Sequence, residues 1–209
     1  KRSWSTPCVP TVPGGEPELI INHEEIIRGI NPRTGEELWN CRGIQDYVVP
    51  VPIAEDGIVY CLGGRSNRAI AVKLGGRGDV TKTHKLWEVN IGANVTSPVY
   101  YDGHLYWASD KAIANCLVAK TGEEVYRQRL PTRARIYASI VRAGEHFLIT
   151  TRDQGVVVLS AKPEYEEVAR NVIESDESLV NASPAVCDGR IFLRTDNFLY
   201  CIGTEQAGG

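Results

Sequence analysis

The sequence predicts an all-β fold, a β-propeller built of about five four-stranded antiparallel blades. Five segments open with a small, β-branched or proline-containing pair and continue as an apolar strand. The second residues of these pairs lie 45, 46, 42 and 44 positions apart. A step in the forties with little helical periodicity is typical of a propeller blade. The pairs are Thr6-Pro7, Val51-Pro52, Ser97-Pro98, Ser139-Ile140 and Ser183-Pro184.

The third unit shows the order of elements within a blade. Four β-rich runs follow one another, separated by Asp-Gly, Asp-Lys and Lys-Thr-Gly turns. Because such turns join antiparallel strands, we expect a meander of strands a, b, c and d. The runs are TSPVYY, HLYWAS, AIANCLVA and EEVYRQRL.

The other units repeat these turns and set the blade boundaries. The a–b hairpins are predicted at Asp56-Gly57, Asp102-Gly103, Ala143-Gly144 and Asp188-Gly189. The b–c hairpins are predicted at Asn22-His23-Glu24, Gly63-Gly64-Arg65, Asp110-Lys111, Arg152-Asp153-Gln154 and Asp196-Asn197. The propeller domain covers residues 1–203, with blades at approximately 5–41, 49–89, 95–130, 136–173 and 180–203, and residues 204–209 are expected to form a flexible C-terminal tail.

One segment resembles a helix by composition, PEYEEVARNVIES at residues 163–175. Its position in the repeat assigns it instead to strand d of the fourth unit and the loop that follows. We therefore expect almost no helix in this protein.

Bulk composition excludes several classes of function. The net charge is −3 and the pI is near 5.9, so the chain has no global basic field for nucleic acid. No apolar run approaches the ~20 residues of a membrane span. The basic start KRSWSTPC is not followed by an apolar segment, so no signal peptide is expected in this chain. Since the chain contains no Met, we expect that an upstream part was removed or that the sequence is an excised piece.

The six cysteines are widely spaced and include no CxxC and no adjacent pair. This spacing argues against a disulfide scaffold and against a zinc site. Most lie in apolar runs such as VYCLG, NCLV and LYCIG, so we expect small buried thiols in strands. They are Cys8, Cys41, Cys61, Cys116, Cys187 and Cys201.

The phrase Thr-Gly-Glu-Glu occurs twice, beginning at Thr34 and at Thr121. In each copy a large aromatic residue, Trp39 or Tyr126, follows four positions after the glycine. The repeat places the phrase at the c–d hairpin, where glycine can adopt a positive φ. The aromatic residue on strand d can then pack against the neighbouring blade, so the phrase is interpreted as architecture.

These residues resemble the tryptophan-docking motif of quinoprotein-like (PQQ-like) β-propellers, Ala-x-Asp-x-x-Thr-Gly-x-x-x-Trp. The first copy has Gly for Ala and Asn for Asp, the second has Val118 for Asp, and the fourth and fifth units are degenerate. The second unit keeps two motif positions but carries the insertion KLGGRGDVTKTHK between strands c and d. SPxxxDGxxY and LYCIG phrases are similar to those of bacterial, planctomycete-type members. The matching residues are Gly29, Asn31, Thr34, Gly35 and Trp39, then Ala71 and Trp87, then Cys116, Thr121, Gly122 and Tyr126.

The number of blades suggests an incomplete ring. The fifth unit stops without a strand d, and the few residues around Trp4 are too short to supply one. Members of the resembled family usually have seven or eight blades. We therefore expect the C-terminal part of a larger ring, with a compact five-bladed ring as the alternative. An open arc would expose strand edges and favour self-association.

The resemblance also raises an enzyme hypothesis, part of a quinone (PQQ)-dependent oxidoreductase. It implies a calcium ion, a catalytic aspartate and usually a vicinal disulfide beside the cofactor. The chain has no adjacent cysteines, and no quinone site can be traced to particular residues. We therefore predict that the chain is not an enzyme, and we assign no catalytic residue, no metal and no cofactor.

Three other patterns have a structural and a functional reading. His104 and His146 are either solvated strand ends or a metal pair. Arg77-Gly78-Asp79 reads as turn chemistry or as an adhesion tripeptide. The arginines of YRQRLPTRARI suit either an anion patch or edge-strand charge that blocks aggregation. They are Arg127, Arg129, Arg133 and Arg135.

The b–c turns and d–a loops of a propeller gather at one end, and we expect binding there. The mixed charges favour a protein partner or a polar ligand over a polyanion. The expected residues are His23, Glu24, Arg65, Asp110, Arg152, Asp153 and Asp196.

Members of the resembled family are mostly exported, and one class is a scaffold in outer-membrane protein assembly. The resemblance therefore implies a non-catalytic scaffold for protein partners or polar ligands. Such a scaffold would lie in the periplasm or outside the cell, and it would not span the membrane.

Overall fold

A computed structural model describes residues 3–65 and 67–203, and within them all regular structure is β. In these two ranges nineteen strands form five sheets, in which nearly all neighbouring strands pair antiparallel. The all-β propeller prediction is confirmed. The predicted tail at residues 204–209 lies outside the described residues.

Each sheet is one blade. Blade one contains β1 (Leu19–His23), β2 (Ile26–Ile30), β3 (Glu37–Arg42) and β7 (Gly78–Asp79); blade two contains β4 (Ile53–Glu55), β5 (Ile58–Gly63), β6 (Arg68–Lys73) and β8 (Lys85–Val89). Blade three contains β9 (Val99–Tyr101), β10 (His104–Ala108), β11 (Ile113–Val118) and β12 (Glu124–Arg129). Blade four contains β13 (Val141–Ala143), β14 (His146–Thr150), β15 (Val156–Ser160) and β16 (Glu167–Asn171), and blade five contains β17 (Ala185–Cys187), β18 (Arg190–Arg194) and β19 (Leu199–Ile202).

The a–b hairpins have the turn geometry that their residues favour. In the three Asp-Gly turns both central residues have positive φ, for example 45° at Asp102 and 74° at Gly103, as a type I′ turn requires. In blade four Ala143 pairs with His146, so the turn residues are Gly144 and Glu145. The turn predicted at Ala143-Gly144 is therefore one residue out of place. A glycine at the first central position suits a type II′ turn.

Blade one departs from the predicted unit. Its first segment forms no regular strand and makes only single bridges, such as Cys8 with Ile20. This segment contains several prolines, which cannot donate to a ladder. An additional strand comes from the insertion in blade two, where Gly78 and Asp79 in β7 pair parallel with β3. Two residues of the Arg-Gly-Asp tripeptide thus lie in a sheet.

Buried apolar side chains form the interfaces between blades. Strand β10 shows the principle, because successive side chains point to opposite faces. Leu105 and Trp107 pack in the cluster shared with blade two, whereas Tyr106 and Ala108 pack in the cluster shared with blade four. A third cluster joins blades one and two around Trp39.

Blade five is the most exposed. It has three strands, and in the described part of the chain no fourth strand pairs with β19. Leu199 is 71% exposed. Trp4 lies away from blade five, because its N–H bonds to the carbonyl oxygen of Val48 at 2.8 Å.

The cysteines differ according to blade. Cys41, Cys61 and Cys116 are buried in strands as expected. The expectation is wrong for Cys187 and Cys201, which are exposed because they lie in blade five. Burial raises the pKa of the Cys116 thiol to about 12, so this thiol is inert near neutral pH.

Candidate functional site

A row of serine hydroxyls connects the innermost segments of successive units. The N–H of Val51 donates to Ser97 Oγ at 3.0 Å, and the N–H of Ser97 donates to Ser139 Oγ at 3.0 Å. The N–H of Ser139 donates to Ser183 Oγ at 2.9 Å. These are residues of the unit-opening pairs, which the sequence marked only as a repeat. The serine row (Ser97, Ser139 and Ser183) fixes four units relative to one another.

Trp87 provides a second connection, between blades two and three. Its Nε1–H donates to the carbonyl oxygen of Ala119 at 2.9 Å. Its ring lies against Gly122, where an added Cβ would stand 2.7 Å from a ring carbon. Gly122 also has a φ of +74°. The c–d turn of blade three therefore needs glycine both for its backbone and for this contact.

Trp39 is buried and uses a different acceptor. Its Nε1–H donates to Glu18 Oε2 at 2.7 Å, and its ring packs on Gly29. Glu18 is only 2% exposed, and Arg77 Nη1 lies 3.5 Å from its other oxygen. The Trp39 indole N–H thus donates to a buried carboxylate, whereas the Trp87 indole N–H donates to a backbone carbonyl. No pattern in the sequence marks Glu18.

Tyr126 occupies the matching position of blade three, opposite Cys116. Its ring meets Tyr165 of the next c–d turn edge-on, with 5.9 Å between ring centroids. In blade four the matching residue, opposite Val158, is Ala169. The aromatic row (Trp39, Trp87 and Tyr126) therefore has no member in blade four.

The motif residues in the first c–d turn shape its backbone. Asn31 Oδ1 accepts hydrogen bonds from the N–H groups of Arg33 and Thr34, and Thr34 Oγ1 accepts one from Glu36. Thr121 repeats the last contact by accepting from the N–H of Glu123. These contacts are local to the turns.

The other end of the propeller carries the b–c turns and the loops between blades. This follows from the meander, in which strand d ends on the side where strand b ended. The N–H of Val180 donates to Arg152 O, and the N–H of Asp196 donates to Leu179 O, so turn and loop contact each other. Asp153 and Asp196 are exposed there.

Arg65, Tyr47 and Trp4 form the aromatic–arginine cluster at this end. The guanidinium carbon of Arg65 lies 5.3 Å from the Tyr47 ring centroid, and Trp4 meets Tyr47 edge-on at 5.6 Å. The Asp46 carboxylate accepts the N–H of Arg65 at 2.7 Å and so fixes the b–c turn. Trp4 is 62% exposed. The sequence marks only Arg65 as a binding residue, because no local pattern links the two aromatic residues to it.

The same pairing recurs in blade four. The Arg152 guanidinium carbon lies 5.6 Å from the Tyr137 ring centroid, and the N–H of Arg152 donates to Arg135 O. An arginine of a b–c turn thus covers a tyrosine of the preceding interblade loop at two places in the described part of the chain.

The remaining predicted face residues are placed differently. Asp110 is buried, and Arg135 Nη1 lies 4.0 Å from its carboxylate. His23 is half-buried, with Nδ1 3.3 Å from Glu24 O.

Within residues 3–65 and 67–203, no three His, Cys, Asp or Glu side chains are grouped to hold a metal ion. The same ranges contain no helix long and apolar enough to cross a membrane.

A family model described as "Outer membrane protein assembly factor BamB" matches residues 23–164. No curated protein matches the sequence.

The fold is similar to that of several solved structures. BamB from Moraxella catarrhalis aligns with a TM-score of 0.69 at 12% identity, covering 93% of this chain and 56% of that one. The computationally designed Ika8 protein aligns at 0.62 and 12% identity, covering 86% and 52%. The designed Ika4 protein aligns at 0.59 and 14% identity, covering 81% and 100%. The chain thus spans about half the length of the first two, and at these identities the likeness shows the fold alone.

Proposed function

The chain belongs to the family of outer membrane protein assembly factor BamB, a family of PQQ-like β-propellers, and on this premise we propose that it is a non-catalytic scaffold that binds a protein partner outside the cytoplasm. The observation that carries the proposal is the aromatic–arginine cluster (Trp4, Tyr47 and Arg65). The cluster displays the three residue types that most often dominate binding energy at protein interfaces.

The geometry of the cluster favours a protein partner. Tyr47 is half-buried and lies between the exposed Trp4 and the exposed Arg65. A partner that covers Trp4 would remove a large apolar surface from water. Covering the ring would also desolvate the Arg65 guanidinium, which strengthens its attraction to the Tyr47 ring.

The scaffold holds this cluster in place. Trp4 is tied by its N–H to Val48, and Arg65 is tied by its N–H to Asp46. Blades one and two behind the cluster are joined by the buried residues around Trp39 and by a hydrogen bond from Asn22 Nδ2 to Leu62 O. Binding residues on a pre-organised support lose less conformational entropy when a partner docks. The architecture therefore supports a scaffold role.

Two substitutions with one control test the binding proposal. A photo-crosslinking residue at position 45, an exposed glutamine two residues before Tyr47, is used first to capture the partner from the cell envelope of the source organism. Affinity for the purified partner is then measured for Trp4→Ala, Arg65→Ala and Arg33→Ala. Arg33 is also an exposed arginine, in a c–d turn at the opposite end. We expect at least about a tenfold loss for the first two changes and none for the third. If all three variants bind the partner with the affinity of the wild-type chain, the cluster is not the binding site.

The non-catalytic part of the proposal has its own test. The alternative, part of a quinone-dependent oxidoreductase, requires that PQQ with Ca²⁺ bind the folded state and raise its melting temperature. We expect no shift in a thermal melt and no dye-linked alcohol oxidation. A saturable rise in melting temperature with added PQQ would support the alternative instead.

A further inference from the structure

A cavity of about 330 Å³ lies between blades four and five. Val156 of blade four faces Leu193 and Ile202 of blade five across it, and the loop after β16 forms one side. The volume is within the range of ligand pockets, and the walls are largely apolar. This interblade cavity is also lined by Thr150, Asp153, Gly155, Asn171, Val172, Ile173, Asp176, Ser178, Val180 and Thr195.

The cavity exists because the loop between blades four and five differs from the preceding one. Between blades three and four, Leu130 and Ile136 are both fully buried and fill the interface. Val180 matches Ile136, because each N–H bonds to the b–c turn of the blade before it. Six residues separate Ile173 from Val180, whereas five separate Leu130 from Ile136. Ile173 stays partly exposed, and the space remains unfilled.

Thr150 gives the cavity a polar group without a partner. Its side chain is buried in the cavity wall, and among the described residues Oγ1 makes no hydrogen bond. Buried hydroxyls in proteins are nearly always paired. An unpaired hydroxyl at an apolar cavity therefore points to a ligand group that can bond to it.

The charged side chains at the cavity are both acidic. Asp153 and Asp176 are the ionisable residues in the lining. Hydrogen bonds to Asp176, the strongest from Ser178 and others from Thr195 and Tyr200, hold the pKa of its carboxyl at about 2. The carboxylate is therefore ionised at neutral pH.

The adjoining loop adds Glu174 and Glu177 and has no basic residue between them. We propose that the interblade cavity binds a polypeptide segment that inserts one apolar side chain and carries lysine or arginine beside it. The apolar walls take the side chain, Thr150 Oγ1 bonds to a polar group of the segment, and the carboxylates attract the basic residue. The proposal does not depend on the aromatic–arginine cluster, which lies at the junction of blades one and two.

Three labelled peptides test the chemistry of the occupant. The probe is fluorescein-labelled Gly-Ser-Lys-Phe-Lys-Ser-Gly, and its binding to the whole chain is measured by fluorescence anisotropy. One control peptide has Glu in place of both Lys residues, and the other has Ser in place of Phe. We expect saturable binding of the probe and at least about tenfold weaker binding of both controls. Added salt should weaken probe binding because it screens the carboxylates.

Substitutions at two valines that are close in the sequence test where the peptide binds. Val172 lines the cavity and is 59% exposed, whereas Val168 is 49% exposed and lies outside the lining. The change Val172→Trp is expected to block the mouth and weaken probe binding at least about tenfold. Val168→Trp adds the same ring nearby and is expected to leave binding unchanged. Circular dichroism melts show whether both variants fold.

Three results would overturn the proposal. One is the absence of saturable probe binding to the wild-type chain. Another is equal binding of the Lys and Glu peptides, which would remove the role of the carboxylates. The third is unchanged binding by folded Val172→Trp, which would place the peptide elsewhere on the chain.

Discussion

At the scale of single residues, neighbours decide what the repeated phrase does. Gly35 and Gly122 stand at the same position of two c–d turns, and their φ angles are +75° and +74°. An added Cβ at Gly35 meets nothing within 4 Å, whereas one at Gly122 runs into the Trp87 ring. The sequence predicts the turn at both places, and only packing distinguishes them.

The pair of glycines therefore makes a matched experiment. Gly35→Ala is expected to destabilise the protein by about 1–2 kcal/mol, the cost of a left-handed backbone for an L-residue. Gly122→Ala is expected to cost about 1–3 kcal/mol more, because the methyl group also displaces Trp87. Urea unfolding followed by tryptophan fluorescence measures both. Equal losses would mean that the contact with Trp87 contributes nothing to stability.

At the scale of elements, one position in each unit links the blades. The serine row was visible in the sequence only as a marker of the period, since a hydroxyl in a loop has many ordinary uses. The structure shows each hydroxyl accepting the N–H of the preceding unit. The insertion of blade two is a second segment that the sequence shows without indicating what it contacts. Its Gly78–Asp79 strand pairs with blade one, which no local pattern indicates.

Removing one serine hydroxyl of the serine row should weaken the contact between two neighbouring units. Ser139→Ala takes away the acceptor of the Ser97 N–H and is expected to cost about 1 kcal/mol. The Ser97 amide should also exchange faster with solvent, which NMR can measure. Ser175→Ala is the control, because Ser175 is an exposed loop serine. Unchanged exchange at Ser97 would show that another group holds this N–H.

At the scale of the whole molecule, the blades are not equivalent. The clusters of buried residues join blades one to four in succession. The aromatic row has no member in blade four, where Ala169 stands at the matching position, and blade five shows exposed apolar residues on its edge strand β19. Exposed apolar strands at a sheet edge favour association.

We therefore expect the chain to self-associate through blade five. Sedimentation velocity should show a concentration-dependent species for the wild type. Leu199→Lys should reduce it, because a charge on an edge strand opposes pairing. Val125→Lys on β12 is the control, since Val125 is exposed on blade three. A wild-type monomer at every concentration would contradict this expectation.

The sequence predicts the strands and most of the turns, but it marks only the arginines of the two arginine–tyrosine pairs. Arg65 and Arg152 are marked because they lie in predicted b–c turns. Trp4, Tyr47 and Tyr137 were missed because their partners are distant in the chain. Asp110, in an identical kind of turn, is buried against Arg135. Turn position thus predicts which end of the propeller a residue occupies, while exposure depends on the adjoining loop.

The sequence by itself determined the all-β repeat, its period and its turn types, because alternation, glycine and Asp-Gly pairs act through neighbouring residues. The tertiary structure alone decided that Glu18 accepts from Trp39, that the insertion extends blade one, and that a cavity separates blades four and five. Each of these depends on segments far apart in the chain. Contacts of that kind are set by how the blades pack, and no local pattern encodes them.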